Sequence, residues 1–426
     1  MNFKIIFSLS SLLILGSVFC FSQNNTAASK KSVSEQGLDT TLVIPTDFDN
    51  SLDNMLHSWI VRRASTPNCN SSDEIVEFPD SIYKLRLAKM PCLMEMPYNS
   101  TIRSYIELYT VKKRRQVEYM MGMSHYYFPL FEQVLGANNL PLELKYLSII
   151  ESALNTTIVS RMGASGLWQL MIATGRMYGL EINSLVDERL SPDKATNAAA
   201  HFLKDLYSIY GDWNLVIASY NCGPGNVNKA IRRAGGKRDY WAIYPYLPRE
   251  TRGYVPIFIA ANYALNFGTE HNICAATVNM PALTDTIMVN HRIHLEQVAE
   301  VLNLPIEQVR LLNAQYIKDI IPGNIKPYAL CLPLNYANQF ISKLDQVLAY
   351  RADELVNTRR SEIEIVQAPA MVTPGGSGRV IFHKVKRGQT LSEVAAKYGI
   401  STSKLKKWNH LRKSTIQVGQ RLKILK

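Results

Sequence analysis

The sequence predicts a mainly α protein: one helical domain over residues 81–275, followed by two small α+β modules of strand–helix–helix–strand order. Three observations lead there. Amphipathic runs punctuated by Gly and Pro fill the chain from about 81 to 270. Residues 295–313 align with 391–409 at a constant offset of 96. Each copy is bracketed by alternating, strand-like segments.

Within the helical region the clearest runs are one ending at Gly136, one beginning at Pro141, an Ala-rich run from Ser191-Pro192 to Tyr210, and one from Tyr254 to Phe267. A domain of this size buries its own apolar faces. The repeat pairs Leu295 with Leu391, Val298 with Val394, Ala299 with Ala395, Leu304 with Ile400, Val309 with Leu405 and Asn313 with Asn409. Expected strands are Thr286–His291 and Tyr328–Leu332 in the first copy (module 284–335), Val380–Val385 and Arg421–Leu425 in the second (380–426). Thr390-x-x-Glu393 is a capping box opening the second copy's first helix. Between the modules, 336–379 reads as a helical segment and then a flexible linker ending in Pro374-Gly-Gly-Ser-Gly378.

Met1-Asn2-Phe3-Lys4 followed by the apolar run from Ile5 to Phe21 has the form of a secretory signal peptide. Cys20 and Ser22 suit cleavage before Gln23, leaving 23–80 as a polar, weakly ordered leader. Lipid anchoring at Cys20 is the weaker reading, because Phe19 stands where a lipoprotein signal has a small residue. Export to the periplasm follows, in association with the cell wall and with the outer membrane as a second location. Five cysteines then remain without a CxxC pair (Cys69, Cys92, Cys222, Cys274 and Cys331), so at least one thiol stays free; whether Cys69 pairs with Cys92 is open. His291-x-x-His294 has no Cys or carboxylate at ligand spacing, so no metal and no cofactor are expected. Charge is unevenly placed: residues 379–426 hold 13 basic residues and the single acid Glu393, while the remainder is balanced. Affinity for polyanions should therefore lie in the last module.

In NNLPLELKYLSIIESALN, the residues Leu140, Leu144, Leu147, Glu151 and Leu154 follow at steps of four and three, one face of a single helix. A carboxyl group on an apolar stripe is desolvated, its charged form is disfavoured and its pKa rises, as a general acid near neutral pH requires. Glu143, near the helix start, reads as a surface residue compensating the dipole. Alone, Glu151 reads more readily as a structural residue than as a catalytic one. Downstream come Ser160, the small-residue loop Gly163-Ala-Ser-Gly166, and Leu167-Trp168-Gln169-Leu170-Met171. A helix holding Trp213 and Tyr220 breaks at Asn221-Cys222-Gly223-Pro224-Gly225-Asn226, presenting Tyr220 and Asn221 at a cleft edge, and Glu250-Thr251-Arg252-Gly253-Tyr254-Val255-Pro256 puts an aromatic hydroxyl at another helix start. Trp168 and Met171 at helical spacing would ordinarily be core, Cys222 a buried inert thiol, and Arg249, Glu250 and Arg252 a solvated ion-pair cluster.

The second copy, HKVKRGQTLSEVAAKYGISTSKLKKWNHL with IQVGQRLKIL, looks like a LysM module, a fold that binds N-acetylglucosamine-containing glycans. The first keeps the apolar skeleton and Asn313 but has Ile293-His294 where Gln389-Thr390 stand, so it is LysM-like and degenerate. The strings ESALNTTIVSRMGASGLWQLM, ASYNCGPGNV and ETRGYVP resemble the four motifs of the lytic transglycosylases of the goose-lysozyme-like superfamily, most closely the membrane-bound murein transglycosylase D type, which carries C-terminal LysM modules. That resemblance, over about 105–270, implies a lysozyme-like helical domain. It also implies Glu151 as single acid/base, Ser160, Gln169 and Met171 along a glycan groove, and Tyr220, Asn221 and Tyr254 completing the site. Cys222 departs from the family's frequent Ala. The implied reaction cleaves between N-acetylmuramic acid and N-acetylglucosamine, with a 1,6-anhydro ring as product and Tyr254 orienting Glu151 and holding it protonated.

Three other readings compete. A hydrolytic muramidase of the same fold would need a second carboxylate, for which Asp187, Glu188, Asp193 and Glu250 are candidates. A non-catalytic murein-binding scaffold conflicts with an intact Glu151 among four motifs. Nucleic-acid binding through the basic tail conflicts with the secretion signal, so the expected partners are peptidoglycan strands and no nucleic acid.

Overall fold

The computed structural model describes residues 61–62, 69, 74–357 and most of 380–425; the signal peptide, the first part of the leader and the linker before 380 lie outside the described residues. Helix Tyr254–Asn266 runs through the middle of the first domain and is buried on nearly every face, as its almost wholly apolar sequence requires. Helices Ser100–Glu107, Trp213–Cys222 and the short Leu147–Ser152 pack around it. The longest helix, Arg114–Ala137, lies against Pro192–Tyr210, and Phe131 meets the fully buried Trp168 ring edge-on at 5.1 Å. Local signals set the boundaries. Asn99 accepts from Ile102 N at 2.9 Å and Asp212 from Leu215 N at 2.8 Å, each capping a helix start. Pro192 opens its helix and Gly211, at φ 63, ends it.

Part of the expected leader is tied to the end of this domain. Val61–Arg62 pairs antiparallel with Thr277–Val278, and Cys69 is bonded to Cys274. Cys69 therefore does not pair with Cys92, whose thiol sits 3.3 Å from Met94 O; Cys92, Cys222 and Cys331 are free. Gly122 makes the docking close, because a Cβ there would lie 2.3 Å from Ala276 O.

The first LysM-like module has the expected antiparallel pair, Thr284–Val289 with Tyr328–Pro333, and helices Leu295–Leu302 and Ile306–Leu312. A second short pair, Arg292–His294 with Ile320–Pro322, was not foreseen. Nor is the module a unit of its own. Helices Leu334–Ser342 and Leu344–Ala349 add Phe340 and Val347 to its core, and Leu185 and Val186 of the first domain sit in that core too. The chain divides into two compact units at residues 366 and 367, so this module belongs with the helical domain.

The second unit is the C-terminal module: strands Val380–Lys384 and Arg421–Leu425 pair antiparallel around helices Leu391–Lys397 and Thr402–Trp408. The capping box is present, Thr390 N donating to Glu393 and Glu393 N to Thr390 Oγ1. The repeat's asparagine has one role in both modules. Asn313 donates to Val309 O and Cys331 O and accepts from Cys331 N; Asn409 does the same with Leu405 O, Lys423 O and Lys423 N. Each pins the second helix to the last strand, so the asparagine outlasts the divergence of its surroundings. Among the described residues no helix is long and apolar enough to cross a membrane.

Candidate active site

The segment carrying Glu151 is not one helix. Leu142–Tyr146 is 3₁₀ and Leu147–Ser152 is α, ending where Ala153 (φ 49) and Leu154 (φ 65) turn left-handed. The leucine stripe is buried all the same, with Leu144, Leu147 and Leu154 at 0% exposure. Glu151 stands one residue from the helix end, half-buried as a residue, with its carboxyl enclosed by protein. Burial lifts that carboxyl from the ordinary value of 4.5 to about 7. The Tyr254 hydroxyl donates to Oε1 and acts in the opposite direction. The expected contact is therefore present with the opposite sign: Tyr254 favours the ionised form, and burial alone holds the proton. Tyr254 is 2% exposed, and burial together with the Glu151 charge pushes its own pKa well up, so it stays a donor.

Glu143 is not on the surface. It is 7% exposed and accepts from Met94 N at 2.6 Å, because the 3₁₀ turn rotates it inward against the loop around 90–98. Ser152, beside Glu151, donates to Ser148 O and to Leu167 O at 2.9 Å, joining the acid's helix to the loop that follows.

That loop is closely determined. Ser160 N donates to Ala164 O and Ala164 N to Ser160 Oγ, closing a tight turn through Gly163. Gly166, at φ +77, packs so that a Cβ would lie 2.0 Å from Arg189 O. Gln169 adopts φ 45 and directs its amide to Gly166 O at 2.9 Å, so in this structure its donor is engaged within the loop. Met171 is 38% exposed and is not core, whereas Trp168 is fully buried with Nε1 on Thr196 Oγ1 at 2.9 Å. Sequence reasoning did not anticipate what holds the loop from behind. Arg189, 4% exposed, donates Nη1 to Gly163 O and Leu170 O and forms a two-pronged pair with Asp187. Periodicity carries no signal for such a clamp, since neither residue lies on an apolar stripe.

On the other side, Tyr220 donates to Trp168 O at 2.6 Å and lies near enough for the Glu151 charge to raise its pKa further. Asn221 is exposed, and its Oδ1 accepts from the buried Thr251 at 2.8 Å, a partner the sequence did not mark. Glu151, Tyr220 and Tyr254 thus converge, while Ser160, Gln169 and Met171 belong to the adjoining loop. Arg249 and Glu250 are exposed, and Arg252 bonds Leu247 O and Pro245 O rather than joining an ion-pair cluster. Burial raises the Cys222 thiol, consistent with packing. The other carboxylates have separate occupations. Asp187 holds Arg189, Glu188 accepts from Glu181 N at 2.7 Å, Asp193 accepts from Asn197, and Glu250 is exposed. Among the described residues no group of three or more His, Cys, Asp or Glu is placed to hold a metal.

Residues 130–243 match the Transglycosylase SLT domain, 283–349 the LysM-like domain of lytic transglycosylase MltD, and 383–425 the LysM domain. The membrane-bound lytic murein transglycosylase D of Escherichia coli K12 is 31% identical over 337 residues, covering 78% of this chain and 70% of that protein. The soluble lytic murein transglycosylase of the same strain is 30% identical over 160 residues, covering 35% and 25%. A crystal structure of the 70-kDa soluble lytic transglycosylase of Escherichia coli aligns over 35% of this chain and 26% of its own, at 28% identity and a TM-score of 0.30. With the first of these relatives 31% identical and matched over 70% of its own length, the chain belongs to the family of the membrane-bound lytic murein transglycosylase D.

Proposed function

We propose that the protein is a peptidoglycan lytic transglycosylase in which Glu151 acts first as acid and then as base, with the C-terminal LysM module keeping it on the cell wall. The observation that carries this reading is the Glu151 carboxyl, lifted to about 7 by burial, with no carboxylate among the described residues contributing to the shift. A second acid within several ångströms would add to the rise by charge repulsion. One carboxyl group near neutrality suits a reaction that needs a proton donor and then its conjugate base, whereas hydrolysis would need a second carboxylate to activate water.

In the proposed sequence, protonated Glu151 gives its proton to the oxygen between N-acetylmuramic acid and N-acetylglucosamine, and the C1–O bond breaks. The Glu151 carboxylate, steadied by the Tyr254 hydroxyl, then takes the proton of the muramoyl C6 hydroxyl as its oxygen attacks C1. The 1,6-anhydro ring closes, Glu151 is protonated again, and no water is consumed. Ser160, Gln169 and Met171 line the glycan path, with Tyr220 and Asn221 at its other wall. The basic C-terminal module engages N-acetylglucosamine units and the anionic wall, and the periplasmic face of the envelope is the place of action.

Digestion of purified sacculi, followed by weighing the muropeptides, tests this. Fragments one water lighter than reducing ends are expected from the native protein, and none from Glu151→Gln, which should still bind. Reducing ends as the main product would establish the muramidase instead, and full activity in Glu151→Gln would remove the mechanism altogether.

A further inference from the structure

The degenerate LysM-like module is built into the first domain at a point that leads directly to the groove loop. Val186 forms an antiparallel bridge with Tyr316, Asp187 N donates to Gln315 O at 2.8 Å, and Ile317 N donates to Leu185 O at 2.8 Å. Leu185 and Val186, at 0% and 1% exposure, are plugs in the module's core. Glu181, at the start of the same segment, accepts from Tyr328 Oη and pairs with Lys326, both at 2.7 Å. One residue beyond the bridge, Asp187 presents both oxygens to Arg189, whose Nη1 reaches Gly163 O at 2.6 Å and Leu170 O at 2.9 Å. Gly166 leaves no slack, since its position admits no Cβ against Arg189 O.

We propose that the first LysM-like module is a positioning element of the glycan groove, fixing loop 163–170 through the Leu185 and Val186 plugs and the Asp187–Arg189 pair. The proposal rests on the reading of that loop as part of the glycan path. The backbone groups of Gln315 and Ile317 are engaged by the helical domain, which gives the module a use that does not depend on carbohydrate. A ladder and two plugs fix a strand's register and direction, so Asp187 cannot shift without disturbing the module's core. Arg189 inherits that placement through a planar two-pronged pair.

The test uses the full chain with Leu185→Ala, which shortens one plug, and separately with Tyr328→Phe combined with Lys326→Ala, which releases Glu181 while keeping the buried aromatic ring at 328 in the core. Hydrogen exchange of the Gly163, Gly166 and Leu170 amides should quicken roughly tenfold in Leu185→Ala and by a smaller factor in the double variant. For soluble glycan strands KM should rise several-fold while kcat changes by less than about twofold, since the acid itself is untouched. Retention on sacculi through the C-terminal module should be unaltered. If exchange at those amides and KM both stay at native values in the two variants, the module does not position the loop. Should Leu185→Ala not fold, the double variant, which keeps the aromatic ring at 328, decides the question by the same two readouts. Exchange needs no turnover, so the result stands apart from the Glu151→Gln outcome that tests the chemistry.

Discussion

The Tyr254 hydroxyl donates to Oε1 of Glu151 across 103 residues of sequence. The bond joins the end of a short helix to the start of the central one. It sets a donor that favours the carboxylate against burial that favours the acid, and burial prevails at about 7.

Removing the donor should shift that balance in a readable direction. In Tyr254→Phe the Glu151 pKa rises, so the alkaline limb of the kcat/KM profile moves to higher pH while kcat falls as the base step loses its stabilised carboxylate. A limb that stays in place or moves down would mean the hydroxyl does not touch the carboxylate in the working enzyme.

The same burial carries a stability consequence. A carboxyl whose folded value, about 7, lies above its ordinary 4.5 gives stability that is fully present below pH 4.5 and lost as pH rises through 7, because the unfolded chain ionises first. The loss amounts to at most about 3 kcal/mol, reduced by whatever water reaches the group. Denaturant unfolding of Glu151→Gln should therefore show a gain over native at pH 8 that shrinks to nothing near pH 4. Equal stabilities at pH 8 would place the native carboxyl in water.

Two glycines of one loop should behave differently. Gly163, at φ +82, has no atom within 4 Å of where a Cβ would stand, whereas Gly166 meets Arg189 O. Gly163→Ala should cost about 1 kcal/mol from backbone strain, and Gly166→Ala clearly more than about 2 kcal/mol, with a raised KM. Thermal unfolding with steady-state kinetics separates them; equal costs would mean the loop yields freely.

Asn313 and Asn409 offer a matched pair. Each alanine substitution orphans a strand N–H and two carbonyls, at a cost of about 2–4 kcal/mol where the site is dry. Asn313 is fully buried and Asn409 half-buried, so the first should suffer more. Amide hydrogen exchange read separately in strands Tyr328–Pro333 and Arg421–Leu425 reports each module on its own. A silent Asn313→Ala would contradict a pinning role for that side chain.

Much of this is legible in the chain. Helix boundaries such as Pro192 to Tyr210 follow from Pro and Gly chemistry, and Glu151 is marked by its place on an apolar stripe. Glu143 escapes such reasoning because a 3₁₀ turn advances by a different angle than an α-helix, so Glu143 and Tyr146 are buried there as well as Leu144. The Asp187–Arg189 clamp and the Leu185 plug work through contacts between segments far apart in the chain, which no local pattern encodes. The sign of the Tyr254 contact depends on which atom donates, which is a matter of geometry.

The Cys69–Cys274 bond closes a loop of 205 residues. In the chain-entropy picture a closure of that span is worth on the order of 5 kcal/mol. That contribution vanishes under reducing conditions, so the reduced chain is less robust than the oxidised one. The clasp can form only once both ends of the helical domain are present, so the endurance of that domain is tied to the redox state of its surroundings.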